Sequence, residues 1–359
     1  MKLLERTKLG DMTLKNRMAL SAMTRSRAGV DGIINASAVE YYSQRATAGL
    51  LITEAINISP QALGSPFTPG IYTQAQTGAW KKVTQAVHEH GSVIYAQLWH
   101  TGRAGHSVDK NGELPVAPSA VAIEGAQHFT SEGLKDYEVP HALTLEEIEQ
   151  IKKDYVRAAS NAMEAGFDGV QLHGANGYLP MQFLAESSNH RTDPFGGSIE
   201  NNGRFLLEVM GSLIDVVGGG QVAIKLSPLN PYNGISFDDP LATYTYLMGE
   251  LNKMELAFVE LSRKNPALPL LPHYPTGDEF ELFGKLSTHT LMANTAYTGE
   301  GAEAELERGL AQLISFGVPY LANPDLPKRF ELGAELNQAD RATMFGGGDK
   351  GYIDYPLLS

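Results

Sequence analysis

Between residues 173 and 178 the chain places an imidazole, a carboxamide and a phenol in one glycine-punctuated turn, His173-Gly174-Ala175-Asn176-Gly177-Tyr178. A histidine N–H and an asparagine amide can donate to the same developing oxyanion, which suits polarising a carbonyl. A tyrosine, with an ordinary pKa near ~10, is protonated at neutral pH and can deliver a proton. Taken alone, the segment reads equally well as a catalytic turn or as a satisfied strand-end histidine with turn residues. Three further polar residues close or follow other apolar runs: Thr24, Gln97 and Lys225. Each also has a bland reading, as a cap, a buried amide or a lysine whose ammonium reaches solvent. Trp99 reads as packing on frequency alone.

Residues this far apart meet only if a scaffold delivers them to one place. Eight short apolar runs fit buried strands: Arg17–Ala22, Leu50–Glu54, Ser92–Leu98, Gly169–Leu172, Val222–Leu226, Ala257–Glu260, Thr290–Ala293 and Gln312–Phe316. Helical spacing separates most of them, over 36–48, 75–90, 145–165, 199–217, 239–253 and 301–309. Asn35 is a plausible N-cap, Thr144-Leu145-Glu146-Glu147 reads as a capping box, and Gly91 and Gly166 stop helices. Strands alternating with helices imply a parallel sheet with right-handed crossovers. No nucleotide fingerprint follows the first strand, and polar residues follow several different strands. Both points favour a (β/α)8 TIM barrel over an open doubly wound sheet. A bare barrel needs ~250 residues, so 1–359 accommodates one domain with long loops at 99–143 and 176–198.

Composition narrows the function classes. Acidic residues exceed basic ones by 41 − 28 = 13, which works against a nucleic-acid partner. There is no cysteine, so thiolate chemistry and disulfides are excluded, and a reducing cytoplasm is compatible. No uncharged apolar run of ~18 residues occurs, so no membrane span is expected. The first residues become charged before an apolar leader segment can form. His100 and His106 have zinc-like spacing without a third ligand, so no metal site is expected. Gly346-Gly347-Gly348-Asp349-Lys350-Gly351 matches a dinucleotide pattern outside any strand–helix context and reads as a flexible turn.

Over essentially its whole length the sequence resembles the old yellow enzyme family of flavin-dependent ene-reductases. The resemblance is carried by Met23-Thr24-Arg25-Ser26-Arg27-Ala28, Tyr41-Tyr42-Ser43-Gln44-Arg45-Ala46, Thr53-Glu54-Ala55, Gln97-Leu98-Trp99 and the 173–178 turn. Gln182-Phe183-Leu184, Asn189-His190-Arg191-Thr192-Asp193, Phe195-Gly196-Gly197-Ser198-Ile199-Glu200-Asn201, Ala322-Asn323-Pro324-Asp325-Leu326-Pro327 and Gly351-Tyr352-Ile353-Asp354-Tyr355-Pro356 follow in order. The resemblance implies FMN over the barrel mouth, reduced by NADPH or NADH and reoxidised by a small-molecule activated alkene, an α,β-unsaturated carbonyl or nitro compound. Thr24, Ala55, Gln97 and Lys225 would hold the flavin ring, with Lys225 at the family's usual arginine position. Thr295, Gly317 and Val318 fall in the phosphate region. His173 and Asn176 would bind the substrate oxygen and Tyr178 would protonate carbon, with Trp99, Phe67 and Tyr352 as pocket walls. A monomer or homodimer is expected.

The departures from the family cluster at one end of the cofactor. Val318 stands where an arginine usually grips the FMN phosphate, and Thr295-Ala296 where glycine gives the anion room. Asn294, Thr295 and Lys328 are candidates to compensate. Ala22 replaces a common proline, Ser65 a common aromatic, Leu261-Ser262-Arg263 a frequent Glu-Pro-Arg, and Asn202 an arginine. FMN affinity is therefore in question. Two other readings follow: a redox-neutral isomerase or cyclase on the same scaffold, and a ligand-binding protein that does no chemistry.

Overall fold

A computed structural model describes residues 1–358. Each of the eight apolar runs contains a strand: β1 Met18–Leu20, β2 Leu50–Ile52, β3 Val93–Trp99, β4 Gly169–His173, β5 Val222–Leu226, β6 Phe258–Ser262, β7 Leu291–Asn294 and β8 Leu313–Phe316. Every strand pairs in parallel with the next, and β8 pairs back onto β1, so the sheet closes into a barrel. The principal outer helices are α1 Ser37–Arg45, α2 Gln74–Glu89, α3 Leu145–Glu164, α4 Ile199–Val217, α5 Pro240–Leu251, α6 Glu279–Leu282, α7 Gly299–Arg308 and α8 Leu326–Leu332. The capping box at Thr144 and Glu147 forms as expected. A second, closed by Thr73 and Gln76 at the start of α2, escaped the sequence reading. No helix among the described residues is long and apolar enough to cross a membrane.

Strand alternation explains why the interior is greasy below and polar above. Successive inward positions lie two residues apart. On the lower level Ala19, Tyr95, Ala223, Phe258, Met292 and Leu313 form one apolar cluster, sealed by Leu9 and Leu14 from the hairpin Thr7–Leu9/Met12–Leu14. Two residues further along the same strands stand Ser21, Gln97, Lys225, Glu260, Asn294 and Ser315, all buried and all polar. A barrel normally fills its inner layers with branched apolar side chains. A complete polar layer directly under the loop-bearing face marks the floor of a site.

The long loops have structure of their own. Residues 99–143 contain the hairpin Gln127–Thr130/Gly133–Asp136 and a short parallel pairing of Val116–Ala117 with His141–Ala142. Residues 176–198 carry the short helix Leu179–Leu184. The glycine-rich segment 346–351 is a turn, but a tethered one. The Arg25 guanidinium donates to the Met344 and Gly351 carbonyls, and that of Arg27 to the Thr343, Gly348 and Lys350 carbonyls.

Candidate active site

The polar layer is one connected network. The Gln97 amide donates to Gln171 Oε1 at 2.8 Å, and the Gln171 amide donates to Glu260 Oε2 at 2.8 Å. Glu260 Oε1 accepts from Lys225 Nζ at 3.0 Å and from Ser315 Oγ at 2.8 Å. Asn294 continues the network, accepting from Ser262 at 3.0 Å and donating to Ser315 at 2.8 Å and Ser21 at 3.1 Å. Glu260 has no exposed surface and Lys225 is buried, so this is an ion pair withdrawn from water. Such a pair persists only when its remaining hydrogen-bonding capacity is met, as the neighbouring amides and hydroxyls do here. Gln171 and Glu260 were not among the sequence candidates. Their signal was available: polar residues in register with Gln97 and Lys225 on strands that otherwise read as apolar.

The 173–178 turn rises from the end of β4. Ala175 N–H points at His173 Nδ1, 3.4 Å away, which leaves the proton on Nε2 as a donor. Burial, reinforced by the Lys225 charge, holds the imidazole pKa well below its ordinary value, so the ring is neutral at pH 7. Asn176 and Gly177 both adopt left-handed backbone, φ 56° and 73°. At Gly177 no other residue fits, because a Cβ would lie 2.3 Å from the Tyr232 carbonyl oxygen. Two bonds brace the turn: Asn176 N–H donates to Ser227 Oγ at 2.8 Å, and the Asn233 amide donates to the Asn176 carbonyl at 2.8 Å. The Tyr178 ring stands edge-on to Trp99 at 5.0 Å and to His173 at 4.8 Å. Burial pushes the Tyr178 phenol pKa up, keeping it protonated.

Because His173 is neutral in the fold and titrates near 6.5 when unfolded, the unfolded chain binds the extra proton below that pH. Its contribution to stability is complete above about pH 6.5 and declines as pH falls. Urea unfolding of wild type and His173→Asn across pH 5–8 isolates this one group. The stability difference between the two is expected to shift in the variant's favour below pH 6.5, at no more than about 1.4 kcal/mol per pH unit. A difference independent of pH would show that the imidazole is not held neutral.

Above the polar layer lies a cavity of about 550 Å³. Its walls come from the segments after six strands: Ser21–Met23, Asn176 and Tyr178, Asn230–Asn233 beside Lys225, Asn265 beside Ser262, Asn294–Tyr297, and Ser315–Pro319. Of the sequence candidates, Asn176, Tyr178, Lys225, Thr295, Gly317 and Val318 line it directly. His173 and Trp99 back it through the Tyr178 ring, and Gln97 through the buried relay to Lys225. Thr24 is half-buried and Ala55 buried in the segments after β1 and β2, outside the cavity lining. Two expected pocket walls lie elsewhere. Tyr352 is buried in a stack, 4.3 Å from the parallel Tyr41 ring and faced by the Arg25 and Arg27 guanidiniums at 5.0 and 4.7 Å. Phe67 sits on a left-handed, solvent-exposed turn at φ 59°.

A likeness to known proteins joins this geometry. A family model described as NADH:flavin oxidoreductase / NADH oxidase matches residues 2–337. The chain belongs to that family. Among its relatives, 12-oxophytodienoate reductase 1 of Oryza sativa subsp. japonica is 40% identical, covering 98% of this chain and 92% of the relative. A probable flavin mononucleotide-dependent alkene reductase of Leishmania infantum is 41% identical over 98% and 96%. The solved old yellow enzyme homologue from Zymomonas mobilis superposes with a TM-score of 0.95 at 40% identity, covering 99% of this chain and all of that one. Morphinone reductase, solved with tetrahydroNAD, gives 0.93 at 43% identity over 99% and 98%.

The family's flavin can be tested against these residues. At the ring end the residues fit: the Gln97 amide and the Lys225 ammonium, the latter paired with Glu260, offer donors and an acceptor at the polar floor. The segments expected at the phosphate end, Asn294–Tyr297 and Gly317–Val318, line the same cavity. Thr295 and Ala296 hold successive left-handed conformations, φ 84° and 58°, so the chain turns sharply at the cavity wall. At Gly317 a Cβ would stand 2.9 Å from Met23 Sδ, the flexible end of a side chain that can move aside. Val318 brings no charge. The Asn294 amide is already committed to the buried network, and Lys328 is exposed and off the cavity. Arg263, which the sequence reading noted only as a departure, braces this loop from behind. It stacks on Tyr297 at 3.8 Å and donates to the Thr295 carbonyl at 3.1 Å.

Left-handed backbone costs a residue with a Cβ about 1–2 kcal/mol that glycine escapes. Ala296→Gly is therefore expected to leave stability unchanged or raise it by up to about 1 kcal/mol, after the greater unfolded-state entropy of glycine is subtracted. Denaturant unfolding of the apoprotein measures this. A loss beyond 1 kcal/mol would mean that the loop is not left-handed there.

Proposed function

We propose that this chain is an FMN-dependent oxidoreductase that reduces the C=C bond of activated alkenes, α,β-unsaturated carbonyl or nitro compounds, with NADPH or NADH. The supporting observation is the buried polar floor under a cavity lined by Asn176 and Tyr178 and backed by His173, on a chain of this family. Bound FMN supplies the hydride-transfer chemistry. Gln97 and Lys225 would hold its ring, with Thr24 and Ala55 beside it, and the Thr295–Ala296 turn would receive its phosphate. Neutral His173, through Nε2–H, and the Asn176 amide bind the substrate's carbonyl or nitro oxygen and draw electron density from the double bond. Tyr178 O–H gives its proton to the α-carbon. Trp99 fixes the phenol by its edge contact and helps exclude water. The whole acts as one barrel domain in the cytoplasm, where NADH and NADPH are at hand, as a monomer or homodimer with no nucleic-acid partner.

The visible spectrum of the purified protein tests this reading. A flavin band bleached by NADPH or NADH and restored by cyclohexenone is the expected result. One observation favours a second reading: the loss of the phosphate cation at Val318 opens a redox-neutral isomerase or cyclase with weak or no FMN binding. A colourless protein that still rearranges an unsaturated carbonyl compound would replace the first reading by this one.

A further inference from the structure

We infer that Glu260 is the positioning residue of the cofactor site, cancelling the Lys225 charge and fixing which way Gln97 presents its amide. The inference rests on the flavin reading above. Two observations carry it, and both lie in the buried floor.

The first is directional. An ionised carboxylate accepts hydrogen bonds and donates none. Glu260 Oε2 therefore requires the NH2 of Gln171, which it receives at 2.8 Å. With its NH2 turned to Glu260, Gln171 presents its carbonyl oxygen to Gln97, and Gln97 answers with its own NH2, again at 2.8 Å. One negative charge thus orders two amides in series and leaves the Gln97 carbonyl oxygen as the end of the relay. That acceptor suits the N–H of a flavin's pyrimidine edge. An amide at 260 in place of the carboxylate would remove the constraint, because it can either donate or accept, and both glutamines could then reverse.

The second is electrostatic. Lys225 is the cation expected beside the flavin, yet its ammonium lies 3.0 Å from a carboxylate with no exposed surface. Seen from the cofactor, the couple is a dipole with no net charge. In a medium of low dielectric the difference between a lone cation and a neutral pair is large. Reduction adds negative charge to the flavin, so a lone ammonium would favour the reduced form. Glu260 withholds that help and keeps the bound flavin a stronger reductant.

The test uses oxidised and reduced FMN affinities, with the midpoint potential of the bound flavin as their ratio. In Glu260→Gln at pH 6, the preference for reduced over oxidised FMN is expected to rise at least tenfold, about 30 mV upward for a two-electron couple. Oxidised FMN should bind more weakly as the amide relay loses its direction. An unchanged ratio in a variant that binds FMN overturns the inference. Should Glu260→Gln fail to fold, Lys225→Met/Glu260→Gln, which buries no unpaired charge, carries the test. A neutral pair predicts a ratio within about threefold of wild type. A tenfold or larger fall would mean that Lys225 acts as an uncancelled cation and that Glu260 has no such role. Wild-type protein without flavin affinity removes the functional reading and this inference together. Flavin-loaded wild type with unresponsive variants removes this inference alone.

Discussion

Tyr178→Phe is expected to bind flavin and to be reduced by NADPH or NADH at the wild-type rate, while reoxidation by cyclohexenone slows by roughly 10²–10⁴-fold. The substitution removes one hydroxyl and keeps the ring, so the edge contacts with Trp99 and His173 survive and the His173–Asn176 oxygen grip is undisturbed. Burial holds the wild-type phenol protonated. The proton is therefore available throughout the neutral range, and the wild-type rate should not fall between pH 6 and 9 through this group. Separate stopped-flow measurement of the two half-reactions decides the matter. Equal slowing of both would move Tyr178 from proton delivery to flavin placement. Unchanged reoxidation would give the proton to water or to another residue.

Val318→Arg is expected to tighten FMN by about ten- to 150-fold, because a charge-assisted hydrogen bond contributes ~1.5–3 kcal/mol and each ~1.4 kcal/mol is a factor of ten. Val318 lines the cavity with 45% of its surface exposed, so the longer side chain needs no repacking. Riboflavin, which has the same ring and no phosphate, serves as the internal control. Its affinity should not move. Fluorescence titration of the apoprotein with both compounds makes the comparison, and equal tightening of the two would show that residue 318 does not face the phosphate.

The sequence was most readable where one physical rule acted alone. Burial on both faces made β2 a continuous apolar run and most other barrel strands nearly so, and the 3.6-residue period placed α4 at Ile199–Val217 without error. The Thr144 capping box was legible because its reciprocal bonds join residues three apart. The floor of the site was harder. Glu260 lies within a strand and looks like a defect in an apolar run until β5 and β6 are set in register, which pairs it with Lys225. Arg263 was similarly hidden, since nothing near it in the chain announces the Tyr297 ring on which it stacks. The place of Tyr352 was hard to read for the opposite reason. Its family string was plain, but whether an aromatic faces a cavity or a guanidinium depends on Arg25 and Arg27, more than 300 positions earlier.

That distant stack governs when the molecule can be finished during synthesis. The guanidinium groups of Arg25 and Arg27 are satisfied by carbonyls between 343 and 351, and Arg45 donates to the Tyr352 carbonyl at 3.2 Å. Until residues 343–351 have left the ribosomal tunnel, the Arg25 guanidinium lacks both of its carbonyl acceptors and that of Arg27 keeps only the Arg25 carbonyl. The segment after β1, which forms one rim of the cavity, therefore settles only once those residues have joined it. An otherwise complete barrel waits on carbonyls more than 300 positions downstream to finish one wall of its cavity.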